Sequence, residues 1–356
     1  MPLSILFGGR MHGLTAFLMS ASALTAMSLG IAWYDNYRKI IDERKLAKKI
    51  LSSPDASWRR VARVKKLLGC PLKSGGVISV EERRLSERGV TTHREVCPAE
   101  YRMFIAIDEN TSKLVTARSH PKLMLAKLTF LAKNRAKLET SSMPPLEFSL
   151  PDVRQVKSVM LITWCGGCVT GIDCGPEPSK WLSQYLNGSD YGIRLAMRAP
   201  NQRRDIVRAW KSHAELYPNV RDDESGLFSD LASYVIMPRD DSNNSIERPI
   251  QSLPMRPNIV VEGCQPRDEN DWEWIKIGKQ AIIRRLKWRK RGVMSRFDPD
   301  TGIPDLKYEP LKTSRTLKDP ALNKLKSYAS TIGVYCGLYR AGTVCLNDDV
   351  YVYHGD

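Results

Sequence analysis

Acidic residues are scarce relative to basic ones. Lys and Arg total 55 against 39 Asp and Glu, a formal charge of +16 over 356 residues. An anionic partner is therefore favoured: nucleic acid, a membrane surface or a phosphorylated small molecule. Histidine is rarer still, with five residues at 12, 93, 120, 213 and 354. None falls at a zinc-ligand spacing from a cysteine pair, which argues against a structural zinc site. The eight cysteines are scattered through a long chain, so they do not form the dense disulfide framework of a small secreted domain. They read as reduced thiols in a reducing compartment. No internal repeat and no long low-complexity segment interrupts the chain. Apolar residues make up 42%, enough for a sizeable core.

Long uncharged runs are also nearly absent. The exception is Gly13 to Trp33, 21 residues without a charged side chain. That length crosses a bilayer as a helix. Trp33 and Tyr34 close it as interfacial aromatics, and Arg38, Lys39, Arg44, Lys45, Lys48 and Lys49 follow it. Only Arg10 precedes it closely, so the basic flank predicts a single-pass anchor with the body facing the cytosol. A cleaved signal peptide is the rival reading, but its apolar core is shorter and its positive charge lies on the other side. The expected organisation is an anchor over 1–35, a charged helical stem over 36–57 ended by Ser52, Ser53 and Pro54, and a body from Trp58.

The body is rich in short β-branched or aromatic runs. "VISVEERRL", "YRMFIAID", "KLVTAR", "VKSVMLITW", "YVIMPR", "NIVVEG", "IGVYCGLY" and "DVYVYHG" are separated by Gly, Pro, Asp and Asn. This pattern predicts a mainly β barrel or sandwich with a few helices, placed at "SKWLSQYL" and "ALNKLKSYA". "MPRDDSNNSIERPIQSLPMRP" reads as a surface loop carrying a short helix.

Several stretches have chemistry to offer. In "CPLKSGG", Lys73 supplies charge and Ser74 a hydroxyl, while Gly75 and Gly76 would let backbone amides approach a phosphate. The same letters also fit an ordinary Gly-Gly hairpin. "WCGGCVTGIDCG" brings Cys165, Cys168 and Cys174 close in sequence. The β-branched residues that follow favour a hairpin with buried thiols over a redox CxxC, which opens a helix. In "RPN", Arg256 offers a bidentate fork and Asn258 both donor and acceptor for a heterocycle edge, yet a strand start with Pro at its first position explains it equally. "RRLKWRKR", Arg284 to Arg291, has six basic residues in eight around Trp288. It would suit phosphates and a stacked base. No nucleic-acid module surrounds it, so a solvated basic strand or loop is the simpler expectation.

Taken together, "PLKS", "LVTARSHPKL", "GIDCG" followed by "WLSQYL", "FSD", "RPNIVVEGC", "DPDTG" and a late "AGT" resemble the MOSC-domain family, in particular its amidoxime-reducing branch. The resemblance runs from about Trp58 to the C-terminus. It implies a MOSC β-barrel fold with an N-terminal β-barrel region over 58–190 and the MOSC domain over 200–356. It implies molybdenum cofactor, a molybdenum held by a phosphate-bearing pterin dithiolene. It also implies an outer mitochondrial membrane anchor and a cytosol-facing body. That body would reduce N-hydroxylated compounds with electrons from cytochrome b5 and NADH-cytochrome b5 reductase. By resemblance the cofactor-binding residues are Lys73, Ser74, Arg102, Arg256, Asn258 and Tyr335. One position departs: where the family carries the cysteine that ligates molybdenum, six residues before "DPDTG", this chain has Gly292. After "FSD", Leu231 and Ala232 stand where the family has small hydroxyl residues. Three functions follow: an altered cofactor-dependent reductase, a pseudoenzyme that binds the pterin phosphate or another anion, or a binder of nucleic acid or anionic membrane through Arg284 to Arg291. Cys336 is no substitute ligand, because alternation sends it to the opposite face from Tyr335.

Overall fold

The structure is a computed structural model. It describes 41–86, 89–91, 102–198 except 133, 153–157 and 163–167, then 232–239, 256–290 except 266, 297–298, 301–303 and 331–354, with scattered positions from 27 to 38. The chain forms two compact units, 1–54 and 55–356.

In the first unit a helix runs through 41–51. Its end matches the expectation: Ser52 and Ser53 hydroxyls donate to the carbonyls of Lys48 (2.9 Å) and Lys49 (2.8 Å), satisfying acceptors the last turn leaves open. Gly13 to Trp33 falls almost wholly outside the described residues, and among those described no helix is long and apolar enough to cross a membrane.

The second unit is mainly β and is built on a closed barrel of seven strands. We number them in chain order: β1 (Trp58–Gly69), β2 (Tyr234–Pro238), β3 (Ile259–Glu262), β4 (Trp274–Ile277), β5 (Ala281–Lys290), β6 (Thr331–Arg340) and β7 (Asp349–Tyr353). The order is β3-β2-β6-β5-β4-β7-β1, and β1 pairs back with β3 to close the ring. Period-two alternation explains the closure. Val64, Ile236, Ile259, Val261, Ile275, Ile277, Ile283, Val334, Cys336 and Val350 all point inward and are buried. Each such aliphatic side chain contributes about 1.5–3 kcal/mol on burial.

β1 is the strand the composition hid. Its inward Ala62 and Val64 alternate with outward Arg59, Arg63 and Lys66, so it reads as a charged stretch. Two register shifts, between Arg60 and Ala62 and between Val64 and Lys66, bend it so that its first half pairs β7 and its second half β3. Such bulges turn a barrel corner. β1 comes from the expected N-terminal region and the other six strands from the C-terminal one, so the two regions share this barrel.

A five-stranded antiparallel sheet, in the order Ser158–Ile162, Cys168–Asp173, Ile193–Arg198, Phe104–Asp108 and Leu114–Val115, packs the helix Pro176–Asn187 against it. Trp181, Leu182 and Tyr185 face a core with Phe104, Ile193 and Leu195. The helix starts on Pro176 and stops at Gly188, whose φ of 69° is the left-handed stop that glycine favours. The strands flanking "WCGGCVTGIDCG" pair antiparallel as expected, Ser158–Ile162 with Cys168–Asp173, and Cys174 is buried; Cys165 lies outside the described residues. "ALNKLKSYA", most of the polar loop at 237–257 and "FSD" lie outside the described residues.

Candidate functional site

The loop after β1 lies against the start of the strand Phe104–Asp108. Lys73 N–H donates to Phe104 O (2.7 Å), Phe104 N–H to Pro71 O (2.9 Å) and Arg102 N–H to Cys70 O (2.9 Å). Lys73, Ser74 and Arg102 are thereby neighbours. Arg256 reaches the same loop from 181 residues away: Nε donates to Gly75 O (2.9 Å) and Nη2 to Ser74 O (2.8 Å). Lys73 and Arg256 are each only 6% exposed. Cations so withdrawn from water favour an anion beside them. Ser74, Arg102 and Arg256 hold φ at 65°, 55° and 48°. Non-glycine residues rarely sit in this left-handed region, which costs on the order of 1–2 kcal/mol each and persists where tertiary contacts impose it.

Two roles read from the sequence change here. Gly75 N–H donates to Leu72 O (2.8 Å) and Gly76 N–H to Ala126 O (2.7 Å), so both glycine amides are used within the fold. They do not form a phosphate cradle. The glycines are needed for close packing instead: a Cβ on Gly75 would lie 2.8 Å from Leu72 Cβ, and one on Gly76 2.6 Å from Lys127 Cγ. Likewise the Arg256 fork grips two backbone carbonyls, so Arg256 positions the loop through these two nitrogens.

Asn258 stands at the head of β3 and is fully buried. Its Oδ1 accepts from Val235 N–H (2.6 Å), its N–H donates to Val235 O (3.0 Å) and its carbonyl accepts from Leu68 N–H (2.9 Å). Its Nδ2 is buried and makes no hydrogen bond among the described residues. A buried donor left unmade costs about 1–3 kcal/mol, which a ligand acceptor would recover. Val235 lies opposite Tyr335 on β6, and Tyr335 opposite Lys287 on β5. Inward Val334 and Cys336 flank Tyr335, so Tyr335 faces outward. Asn258, Val235, Tyr335 and Lys287 thus form one row across four adjacent strands. The loop and Arg256 lie at its Asn258 end.

The basic run is the barrel strand β5, and much of its charge is spent on the fold. Arg284 is 3% exposed, pairs with Glu273 (2.7 Å) and stacks on Trp274 at 4.7 Å. Trp288 packs against the barrel core and its Nε1 donates to Asn270 O (2.9 Å), so its ring is not presented for base stacking. Arg285 also donates to Asn270 O. Arg289 lies over the Tyr335 ring, 5.9 Å from its centre. Lys287 and Arg289 belong to the run read from the sequence as a candidate anion binder, and their place beside Tyr335 was not foreseen. Their signal was charge on the strand that leads to Gly292, legible only with the β5–β6 register in hand.

Gly292, Leu231 and the family's metal end lie outside the described residues. Of the residues that the resemblance assigns to the cofactor, Lys73 and Arg102 are tied together by backbone bonds around the loop after β1, and Asn258 Nδ2 is a buried donor unmet among the described residues, chemistry that suits a phosphate and a heterocycle edge. They do not supply a metal centre: among the described residues no group of three or more His, Cys, Asp or Glu is placed to hold an ion. Two of the described thiols are held toward the protonated form. Burial pushes the Cys174 thiol well up, as does nearby Asp173, and burial, Asp348 and Glu82 push up Cys345. Cys336 is fully buried inside the barrel. "DPDTG" forms a turn in which Gly302 N–H donates to Asp298 O (2.8 Å) and Thr301 N–H to Asp298 Oδ1 (3.0 Å).

Comparison with known proteins identifies the family. Residues 61–189 match the MOSC N-terminal beta barrel domain. The chain is 28% identical to mitochondrial amidoxime reducing component 2 of Rattus norvegicus over 94% of its own length and 92% of that protein. It is 30% identical to mitochondrial amidoxime-reducing component 1 of Danio rerio, covering 82% of this chain and 85% of that one. The Homo sapiens component 1 is 26% identical over 96% of this chain and 92% of that protein. With that identity and coverage, the chain belongs to the MOSC-domain family, in the branch of the amidoxime-reducing components.

Proposed function

We propose that this protein binds molybdenum cofactor along the outer face of its barrel and is a reductase of N-hydroxylated compounds, amidoximes among them, with an altered metal end. Lys73, Ser74 and Arg102 take the pterin phosphate, in a loop held by Arg256. Asn258 Nδ2 would donate to the heterocycle edge, and Tyr335 would lie along the same row toward the cofactor's other end. The bound cofactor would supply two-electron chemistry. The protein's own residues fix its phosphate, satisfy its ring and set the charge around it. Electrons would come from cytochrome b5 and NADH-cytochrome b5 reductase, partners proposed from the family. The apolar run Gly13 to Trp33 with its basic flank supports an anchor in a cytosol-facing membrane; the relatives' names support a mitochondrial location, and the outer membrane is proposed from the family.

The observation that carries the reading is the buried, unmet Asn258 Nδ2, together with the loop of buried Lys73 that the Arg256 guanidinium clamps. The test is pterin and molybdenum content of residues 36–356, produced in a host that makes the cofactor. Near-equimolar pterin and molybdenum are expected. Absence of pterin overturns the proposal.

Gly292 favours a second reading, a pseudoenzyme that holds the pterin without metal or turnover, since glycine offers no soft ligand. Pterin without molybdenum, with molybdenum regained in Gly292→Cys, would establish it. Reduction of an amidoxime by the unaltered chain in the presence of cytochrome b5 would exclude it.

A further inference from the structure

The loop after β1 is gripped twice: by Arg256 from outside and by a thiol from within. Cys70 is 1% exposed, and its S–H donates to Leu72 O (3.1 Å) with a longer reach to Gly75 O (3.5 Å). Leu72 O also accepts from Gly75 N–H (2.8 Å), and Gly75 O from Arg256 Nε (2.9 Å). Ser74 O accepts from Arg256 Nη2 (2.8 Å). The carbonyls at 72, 74 and 75, on both sides of Lys73, are thus all engaged by donors of the fold. Cys70 is itself placed by Arg102, whose N–H donates to Cys70 O (2.9 Å). The cofactor reading gives this thiol no task.

The residue type matters here. A peptide group carries fixed partial charges, and its carbonyl end repels an anion. Donors that hold Leu72 O and Gly75 O keep those ends from swinging toward a bound oxyanion. A thiol is small and apolar enough to be buried, yet it still donates a weak hydrogen bond. An alanine would leave each of the two carbonyls with a single donor among the described residues. A separate observation marks the place as a ligand site. Two residues before Cys70, Leu68 N–H donates to Asn258 O (2.9 Å). Asn258, with its buried Nδ2 unmet among the described residues, is therefore tied to the strand end that leads into this loop.

We propose that Cys70 is a positioning residue for the oxyanion end of the cofactor site. Its thiol holds the carbonyls of Leu72 and Gly75, so that the loop carrying Lys73 and Ser74 keeps the shape that accepts a phosphate group. The identity of the anion rests on the cofactor reading; the lock itself does not. Cys70 touches no ligand. It acts through the loop backbone and shares Gly75 O with Arg256.

The test compares the unaltered full chain with Cys70→Val, which is close in size but has no donor, and Cys70→Ser, which keeps one. All three are made in a host that produces the cofactor. Pterin per chain is measured beside amide hydrogen exchange over 70–76. In Cys70→Val, pterin should fall about tenfold and the Gly75 and Gly76 amides should exchange about tenfold faster. Cys70→Ser should recover most of both. That recovery distinguishes donation from filling, because valine replaces a merely space-filling thiol better than serine does. Pterin and loop exchange that are unchanged in Cys70→Val overturn the proposal, as does a folded Cys70→Ser that behaves like Cys70→Val. Faster loop exchange with a full complement of pterin also overturns it, since the loop then needs no lock to hold the cofactor. If Cys70→Val does not fold, Cys70→Ser decides: near-normal pterin and exchange support the lock, and their loss overturns it. No pterin in any of the three, with loop exchange still set by the residue at 70, sinks the cofactor reading and leaves the lock standing.

Discussion

Replacing Arg256 with leucine should both loosen the barrel and release the loop that would hold a pterin phosphate. The magnitude follows from two bonds: Nε to Gly75 O at 2.9 Å and Nη2 to Ser74 O at 2.8 Å, from a side chain 6% exposed. A hydrogen bond from a charged donor contributes about 1.5–3 kcal/mol, so the gross loss is about 3–6 kcal/mol. Two effects offset part of it. Removing a buried guanidinium also removes its desolvation cost, on the order of a few kcal/mol. Gly75 O keeps a weak contact with the Cys70 thiol at 3.5 Å, and Ser74 is freed from its φ of 65°. The net destabilisation should be about 2 kcal/mol, read as a lower urea midpoint with an unchanged slope. Arg256→Lys should fall between, because a single ammonium cannot reproduce the fork. Pterin content should drop in the leucine variant more than stability alone explains. If Arg256→Leu unfolds within about 0.5 kcal/mol of the unaltered protein and keeps its pterin, the clamp is not what shapes the loop.

Three further outcomes follow from buried groups. Burial raises the Glu269 pKa more than its bond from Gly333 N–H lowers it, so its neutral form is favoured in the fold. Its contribution is therefore full below the unfolded-state pKa and is lost as pH rises through the raised folded value. Glu269→Gln should remove that loss and be the more stable protein at neutral pH; a variant with the same pH–stability curve would contradict this. Gly333 holds φ at 75°, and a Cβ there would lie 2.5 Å from Ile236 O, so Gly333→Ala should cost more than about 2 kcal/mol by thermal unfolding, and a neutral result would disprove the contact. Asn258→Leu leaves Val235 N–H unmet in a buried site and should cost about 1–3 kcal/mol while abolishing pterin retention; loss of only one of the two would separate its structural from its binding role.

Strands dense in β-branched residues were legible in the sequence, because inward and outward positions there differ only in degree. "YVIMPR", "NIVVEG" and "DVYVYHG" appear as β2, β3 and β7. β1 was not legible as a strand and β5 only as a basic strand or loop, since their outward faces are arginine and lysine and single-residue bulges break their alternation. Barrel closure was equally hidden: β1 joins β3 almost 200 residues later, a pairing that leaves no local mark. At the site, backbone bonds tie Lys73, Ser74 and Arg102 together around one loop, Arg256 reaches that loop, and Asn258 and Tyr335 fall in one row. What each group does was not legible. The glycine amides and the arginine fork looked free for a phosphate, and backbone carbonyls take them, because carbonyls are everywhere in a sequence and mark no position.

The same alternation decides whether an existing thiol can stand in for the side chain absent at 292. Cys336 is adjacent to Tyr335, yet it is fully buried in the barrel core between Val334 and Leu338. Turning it outward requires a one-residue slip of β6. A slip reverses every side chain on the strand. Val334 and Leu338 would leave the core while Tyr335 and Tyr339 entered it. Tyr339 would abandon its edge contact with Trp274 at 4.5 Å, and Arg289 its place over Tyr335. The lost burial of Val334 and Leu338 alone is worth about 3–6 kcal/mol, comparable to the whole stability of a marginal domain. Among the described residues the barrel therefore holds its nearest thiol away from the outer face by the very packing that closes it. What lies beside Tyr335 on that face instead is a pair of cations.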